Sequence, residues 1–485
     1  MNNSFLFPFP LALGEVSNSI TELHIDYIIK YILDDKRKQN YILDTLALFD
    51  NNLNNIRYRQ EIIKDVIKYP RLINELNNIY SKLEVIFETH KNLKYQFNNF
   101  KSEYEIPKAI LNDAMNDFSY LLLEVLKVYQ DYANVLNKYK FNSEGFNHLK
   151  DMIIGKVETS AFTELKEYFD YFLINSSEFE IEVNNDDDLF LRSVKCLERI
   201  QRKYSFFKKD NDSLVVLNSV QTQALYRIMY TEARLSLSNL FEELYNSLFN
   251  PLYSYKDEII FLEFGLKLSE FFKRINMEYC FPEVNTENKI IINQLSDLYL
   301  SIKGLEESYR IYKVYPNDCI IENSDAGRLI FGENNTGKTV YIRSIAIAQI
   351  FMQAGLMVAG SNANISIKEK LLTFLSSKEL NTTAGGRFEK EVSIISNIIN
   401  SVDKNSMIIM NEIFQSTSVD EGSDALYNIL SFFTKKEATW FAVTHLRQIL
   451  EYKEKFKLET KKNFLVLMSS LKDNKYSINE IKNQS

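Results

Sequence analysis

The chain has 485 residues, 45% hydrophobic and 25% charged, with 13 glycines, seven prolines and a net charge of −8. That length holds about two to four domains, and so few turn formers favour long helices over turn-rich β architecture. Residues 301–485 carry 23 Lys and Arg against 21 Asp and Glu, which leaves 34 against 44 for residues 1–300; an acidic N-terminal part excludes wholesale binding along a phosphate backbone and allows only local contact with nucleic acid.

Cys196, Cys280 and Cys319 have neither metal nor disulfide spacing, and the four histidines are scattered, so a reducing compartment is expected. The apolar stretch Phe5 to Leu13 carries two prolines and no basic lead, unlike a signal peptide. No uninterrupted apolar run reaches membrane-spanning length; the nearest, Ile345 to Ala359, is broken by Gln349 and Gln353. A cytoplasmic protein without a membrane partner is expected.

Residues 18 to 100 read as helices with apolar positions three and four apart, such as Ile25, Ile28, Ile29, Ile32 and Leu33. The run from Asn51 to Asn55 reads as turn material, and Pro70 opens a helix at Arg71. Ala109 to Tyr139 is a long helical pattern, and a second stretch runs to about Asn175. Phe179 to Val183 then alternates with period two, followed by a turn-like Asn184 to Asp188, a helix from Leu189 to Phe207 and a second strand at Leu214 to Leu217. Helix resumes from Val220 to about Asn246 and from Glu258 to Arg274. A small mixed insert, about 177–218, thus sits between two helical arms. On its helix Arg192, Lys195, Arg199, Arg202 and Lys203 fall at helical spacing, which suits either a solvated surface or a tip that contacts phosphates. Tyr279 to Pro282 and Lys289 to Ile292 read as strands, and β and α patterns alternate from there to Thr444, as a mostly parallel sheet requires.

The centre of the chain is Gly332 to Thr339, GENNTGKT, between the apolar run Leu329 to Phe331 and a helical segment from Tyr341 to Gln353. Strand, glycine loop and helix together make a phosphate cradle: Gly332 and Gly337 allow the tight turn, and the helix adds the positive end of its dipole. Asn334, Asn335, Thr336 and Val340 belong with the cradle; Lys338 reaches the β- and γ-phosphates of ATP, and Thr339 ligates Mg2+. Met407 to Met410 reads as a buried strand delivering Asn411 and Glu412, the first for the Mg2+ shell and the second to polarise water. Asn411 has the shape of an aspartate without its charge, which predicts weak metal support and slow hydrolysis. A strand from Ala438 to Val443 ends in Thr444-His445, where His445 can contact the γ-phosphate. Tyr315 is a candidate ring for adenine.

Residues 315–345, YPNDCIIENSDAGRLIFGENNTGKTVYIRSI, resemble the ATPase domain of the MutS mismatch-repair family. Pro316, Asn317, Asp318, Asn334, Tyr341 and Arg343 match its pattern. Asn411-Glu412-Ile413, Ser416-Thr417-Ser418 and Gly422 are similar to its D-E-I…G-T-S…G stretch, Val443-Thr444-His445 to its A-T-H, and Arg59-Gln60 with Val66 and Pro70 to the opening of its helical core. The resemblance implies an α-helical lever domain with a small clamp over residues 1–275, and an α/β P-loop NTPase of ABC-like, mostly parallel-sheet type over 276–485. It also implies a homodimer through the ATPase faces, in which Thr417 and Ser418, with Gly386 and Arg387, complete the other subunit's site. Gly386-Arg387-Phe388 stands where the family has S-T-F, so its serine is missing and Arg387 would supply the contact. The mismatch-reading wedge, the connector domain and the C-terminal dimerisation segment are expected to be absent. Two functions follow: an ATP-gated clamp on duplex or branched DNA, or a weakly hydrolysing scaffold that regulates a protein partner. An ABC transporter subunit fits less well, for want of a glycine-serine signature.

Overall fold

A computed structural model describes residues 4–16, 19–99, 108–174, 180–185, 191–198, 242–306, 314–375, 386–414, 417–472 and 475–481. The chain forms two compact units. One comprises Met1–Ile73, Phe141–Asn147 and Asp257–Ser485, the other Asn74–Lys140 and His148–Lys256.

The first unit opens with residues 4–16, whose Phe5 and Leu6 are buried, Phe5 packing on Phe146 at 5.2 Å between ring centroids. Leu6 N donates to the Glu258 carboxylate at 2.7 Å, and burial pushes the pKa of that carboxyl up to about 7. There follow β1 (Glu15–Val16), α1 (Ser19–Glu22), α2 (Ile25–Ile32), α3 (Lys36–Ala47) and α4 (Leu53–Lys68). Ile25, Ile28, Ile29 and Leu33 are buried, as the spacing of α2 predicts. The asparagine run is a cap rather than a full turn: the Asn52 side chain accepts from Asn54 N at 3.0 Å, α4 starts at Leu53, and Asn55 is buried inside it.

The second unit takes up α5 (Arg71–Asn99) from Asn74, α6 (Lys108–Asn137), α7 (Glu144–Val157) from His148, α8 (Ser160–Ile174), β2 (Glu180–Asn185), β3 (Leu191–Glu198) and α9 (residues 242–253). Leu76, Leu83, Leu122, Val125, Leu126 and Leu136 are buried there, and Tyr129 Oη donates to Leu248 O at 2.8 Å. The sequence reading of a helix over Leu189–Phe207 is corrected at its start: Leu191–Glu198 is a strand, antiparallel to β2, with Lys195 opposite Glu182. A strand repeats every two residues, so Arg192 and Lys195, three apart, fall on opposite faces, and the basic helical face does not form there. Arg199, Arg202, Lys203, the strand at Leu214–Leu217 and most of the helix from Val220 lie outside the described residues.

The first unit resumes with α10 (Glu258–Arg274), β4 (Glu283–Asn285), β5 (Ile290–Leu295), α11 (Leu298–Glu306), β6 (Asn317–Ile321), β7 (Asp325–Gly332), α12 (Lys338–Gln353), β8 (Asn362–Ser366), β9 (Lys370–Phe374) and α13 (Gly386–Ser401). Then come β10 (Ser406–Asn411), α14 (Val419–Lys435), β11 (Thr439–Val443), α15 (Lys453–Thr460), β12 (Asn463–Lys472) and β13 (Lys475–Glu480). Seven strands form one sheet in the order β1-β9-β10-β11-β7-β12-β13, parallel except for the final β12–β13 hairpin. Four further strands form a second sheet in the order β4-β8-β5-β6. Parallel strands covered on both faces read as continuous apolar runs, and Met407–Met410 and Trp440–Val443 are buried throughout. Leu329, Phe331, Ile408, Met410, Trp440 and Ala442 share one core with Leu426, Leu430 and Phe433 of α14. Each large side chain buried there contributes roughly 1.5–3 kcal/mol. Among the described residues no helix is long and apolar enough to cross a membrane.

Candidate nucleotide-binding site

The parallel strands β7, β10 and β11 end on the same side of the sheet, where ligands of open α/β sheets bind. From β7, Gly332 turns the chain at φ 146° and Gly337 enters α12 at φ 89°, both conformations that favour glycine. A Cβ on Gly332 would lie 1.9 Å from Ser469 Oγ, so the close approach of β12 also demands glycine. Around Gly337 there is room: a Cβ would meet only Tyr476 Cδ1, at 3.8 Å. Asn334 and Asn335 are exposed at the turn, Asn335 with φ 63°, and Val340 is half-buried in the first turn of α12.

Lys338 is buried, and its amine donates to Gly332 O and Glu333 O, each at 2.8 Å. It also lies 3.8 Å from Glu412 Oε1. Burial holds its pKa below the ordinary lysine range, and the Glu412 charge opposes that shift. The ammonium is thus parked on carbonyls of the loop it serves.

From β10, Asn411 Oδ1 accepts from the Thr339 hydroxyl at 3.1 Å. Glu412 has φ 56° and its N–H donates to Val443 O at 2.9 Å, which pins the turn after β10 to the end of β11. A left-handed glutamate costs about 1 kcal/mol or more, and such strain gathers at functional sites. Its Oε1 lies 2.8 Å from His445 Nε2. Lys338, Thr339, Asn411, Glu412 and His445, spread over more than a hundred residues of sequence, therefore meet at one place.

Amides that glycine leaves accessible, a lysine within reach and a helix N-terminus suit a triphosphate. Thr339 and Asn411 offer neutral oxygens to a divalent cation, with the Glu412 carboxylate beside them.

Thr417 and Ser418 both donate to Glu421 Oε2, at 3.1 and 2.9 Å, and Ser418 caps α14. Gly386 and Arg387 open α13; residues 376–385 before them lie outside the described residues.

Further neighbours of the loop were not read from the sequence. Ser469 Oγ lies 2.5 Å from Thr336 Oγ1, and Tyr476 has its ring centroid 6.1 Å from that of Tyr315. No motif or spacing announces either one, because β12 and β13 meet the loop only through sheet pairing. The matches around the loop have local reasons. Tyr341 Oη donates to Asp318 O at 2.9 Å, and Arg343 Nε pairs with the buried Asp297 at 2.9 Å.

Comparison with known sequences bears on both parts of the chain. The model of MutS domain V matches residues 328–484, and that of the MutS2 N-terminal domain matches residues 51–186. A DNA mismatch repair protein MutS of Finegoldia magna is 23% identical over 461 residues, 90% of this chain and 49% of that protein. A MutS of Alkaliphilus metalliredigens is 28% identical over 190 residues, 39% of this chain and 21% of that protein. A DNA mismatch repair protein MSH3 of Vanderwaltozyma polyspora is 22% identical over 452 residues, 84% of this chain and 42% of that protein. The chain spans less than half the length of these curated relatives. The resemblance to the MutS family read from the sequence holds, through the domain V match around the loop and the MutS2 N-terminal match over the helices.

Proposed function

We propose that the chain is a DNA-associated ATPase of MutS type, with residues 276–485 as its ATPase domain and 1–275 as a helical lever carrying a small clamp. The observation that supports it most is the convergence of Lys338, Thr339, Asn411, Glu412 and His445 beside an accessible glycine loop. Lys338 leaves its two carbonyls for the β- and γ-phosphates of ATP, and the loop amides from Gly332 to Val340 hold the rest of the phosphate chain. Thr339 and Asn411 would hold Mg2+, which when bound neutralises charge on the phosphate oxygens. Glu412 orients and polarises the attacking water, and His445 steadies Glu412 and senses the γ-phosphate. Tyr315 and Tyr476 are the rings on offer to the base.

Two copies would close on ATP through these faces, the Thr417-Ser418 and Gly386-Arg387 segments of each completing the site of the other. Only a ligand with different affinities for the open and closed forms can drive that change. The DNA part of the proposal draws on the mismatch-repair relatives and on Arg199, Arg202 and Lys203 as phosphate contacts. A cytoplasmic location belongs to the same reading.

ATP turnover, measured with and without duplex, mismatched and branched DNA, tests it. Glu412→Gln should lower the rate by on the order of 100-fold, as removal of a general base does. Equal, near-zero rates in both forms overturn the ATPase. They would leave the second reading, a nucleotide-gated scaffold that scarcely hydrolyses, which the neutral Asn411 favours.

A further inference from the structure

The two hydroxyls beneath the loop carry an inference that rests on the nucleotide reading and deepens it. Thr336 and Ser469 are 6% and 3% exposed, and their oxygens are 2.5 Å apart. Thr336 Oγ1 also lies 2.7 Å from Glu333 O, and Ser469 Oγ 3.1 Å from Phe331 O. Two hydroxyls carry two protons, yet three contacts ask for one. If both protons went outward to the carbonyls, the two oxygens would face each other with lone pairs alone at 2.5 Å, which is repulsive. One proton must therefore lie between them, and the other serves one carbonyl at a time. Either Thr336 donates to Ser469 and Ser469 to Phe331 O, or Ser469 donates to Thr336 and Thr336 to Glu333 O.

Lys338 decides between the two. Its amine already donates to Glu333 O at 2.8 Å, which leaves Thr336 free to donate to Ser469. Once Lys338 turns to phosphate, the Glu333 carbonyl loses that donor, and a hydrogen bond of this kind is worth about 0.5–1.5 kcal/mol. We propose that the Thr336–Ser469 pair is a positioning element of the nucleotide site: its protons reverse direction when Lys338 departs, so that Glu333 O stays bonded and the loop keeps its shape under the phosphates. Gly332 fits the same arrangement, since any side chain there would collide with Ser469 Oγ.

The test measures the Kd of ATPγS with Mg2+ and the melting temperature without nucleotide for the parent chain and four variants. Thr336→Val keeps the shape of the side chain and removes the hydroxyl, Thr336→Ser keeps the hydroxyl, Ser469→Ala removes its partner, and the double variant combines Thr336→Val with Ser469→Ala. Thr336→Val and Ser469→Ala should each weaken ATPγS about tenfold, the worth of one buried hydrogen bond. The double variant should be no more than about threefold worse than either, because both break one relay. Thr336→Ser should stay within about twofold of the parent, which simple packing of the threonine methyl would not predict. Parent-like affinity in Thr336→Val or Ser469→Ala, or losses that multiply in the double variant, overturn the relay. Should Thr336→Val fail to fold, Ser469→Ala decides alone. If the parent chain itself does not bind ATPγS, the nucleotide reading falls and takes the relay with it.

Discussion

The two ends of α12 are finished in opposite ways. At its N-terminus there is open space beside Gly337, and Lys338 is held on the carbonyls of Gly332 and Glu333. At its C-terminus the last carbonyls are already taken. Arg59 Nε donates to Ala354 O and its Nη2 to Gln353 O, both at 2.8 Å, while Nη1 pairs with Asp50 at 3.0 Å. Arg59 and Asp50 are 1% and 2% exposed, and the Phe7 ring lies 4.6 Å from the guanidinium. Gly355 follows at φ 81°, where a Cβ would come within 2.5 Å of Arg59 Cβ. Every helix leaves such groups unsatisfied at both ends, and its dipole favours an anion at one and a cation at the other. Here the protein supplies its own cation at the C-terminus and leaves the anion to be brought. The difference is one of timing: the C-terminal end is completed by folding, the N-terminal end by binding.

Breaking the C-terminal end should have the largest effect. Arg59→Ala leaves Asp50 buried without its partner and strips two carbonyls, which should cost about 3–5 kcal/mol in urea unfolding. Lysine at this position cannot fork to three acceptors and should rescue little. The folded fraction of Arg59→Ala should still bind ATP within about threefold of the parent, as distant and independent sites do. A hundredfold loss of affinity would instead show that the two ends of α12 are coupled.

The same contrast explains what is legible in the sequence. The N-terminal end is legible because its parts are local: an apolar run, then two glycines, Lys338 and Thr339 within the next eight residues, with Met407–Met410 and Ala438–Val443 each delivering a polar residue at a strand end. Arg59 finds its carbonyls 294 and 295 residues away, so no spacing marks it, although Arg59-Gln60 is similar to part of a family pattern. Ser469 is hidden for the same reason. Charges three and four apart, as at Arg192 and Lys195, look like a helix face, but strand pairing with Val183 opposite Val194 overrides that spacing.

Breaking the N-terminal end should give the reverse signature. Lys338→Ala removes a charged donor from the phosphates and should weaken ATP on the order of 100-fold, with roughly 3 kcal/mol at stake. Folding should change by no more than about 1 kcal/mol, because the carbonyls it frees lie beside solvent-accessible loop backbone. Arg59→Ala thus loses stability and keeps affinity, and Lys338→Ala loses affinity and keeps stability. Equilibrium ATP binding and urea unfolding on both variants check the pair of outcomes, and a Lys338→Ala protein that unfolds early would mean that the lysine is structural.

The smallest expected effect tunes the open end without breaking it. Asn411 Oδ1 already accepts from Thr339, so it stands where a metal ligand beside the loop would stand, but an amide oxygen carries no net charge. Asn411→Asp adds that charge beside Thr339 at the positive end of α12, which stabilises it. The Mg2+ concentration that half-saturates ATP binding should fall about tenfold, or about 1.4 kcal/mol, since carboxylates hold hard cations better than amides do. An unchanged Mg2+ requirement would remove Asn411 from the metal shell. Turnover then separates the two functional readings. If tighter metal brings faster hydrolysis, the natural asparagine limits the rate of an ATPase. If the metal tightens and the rate does not move, the site is built to hold ATP, and the open end of α12 serves as a gate.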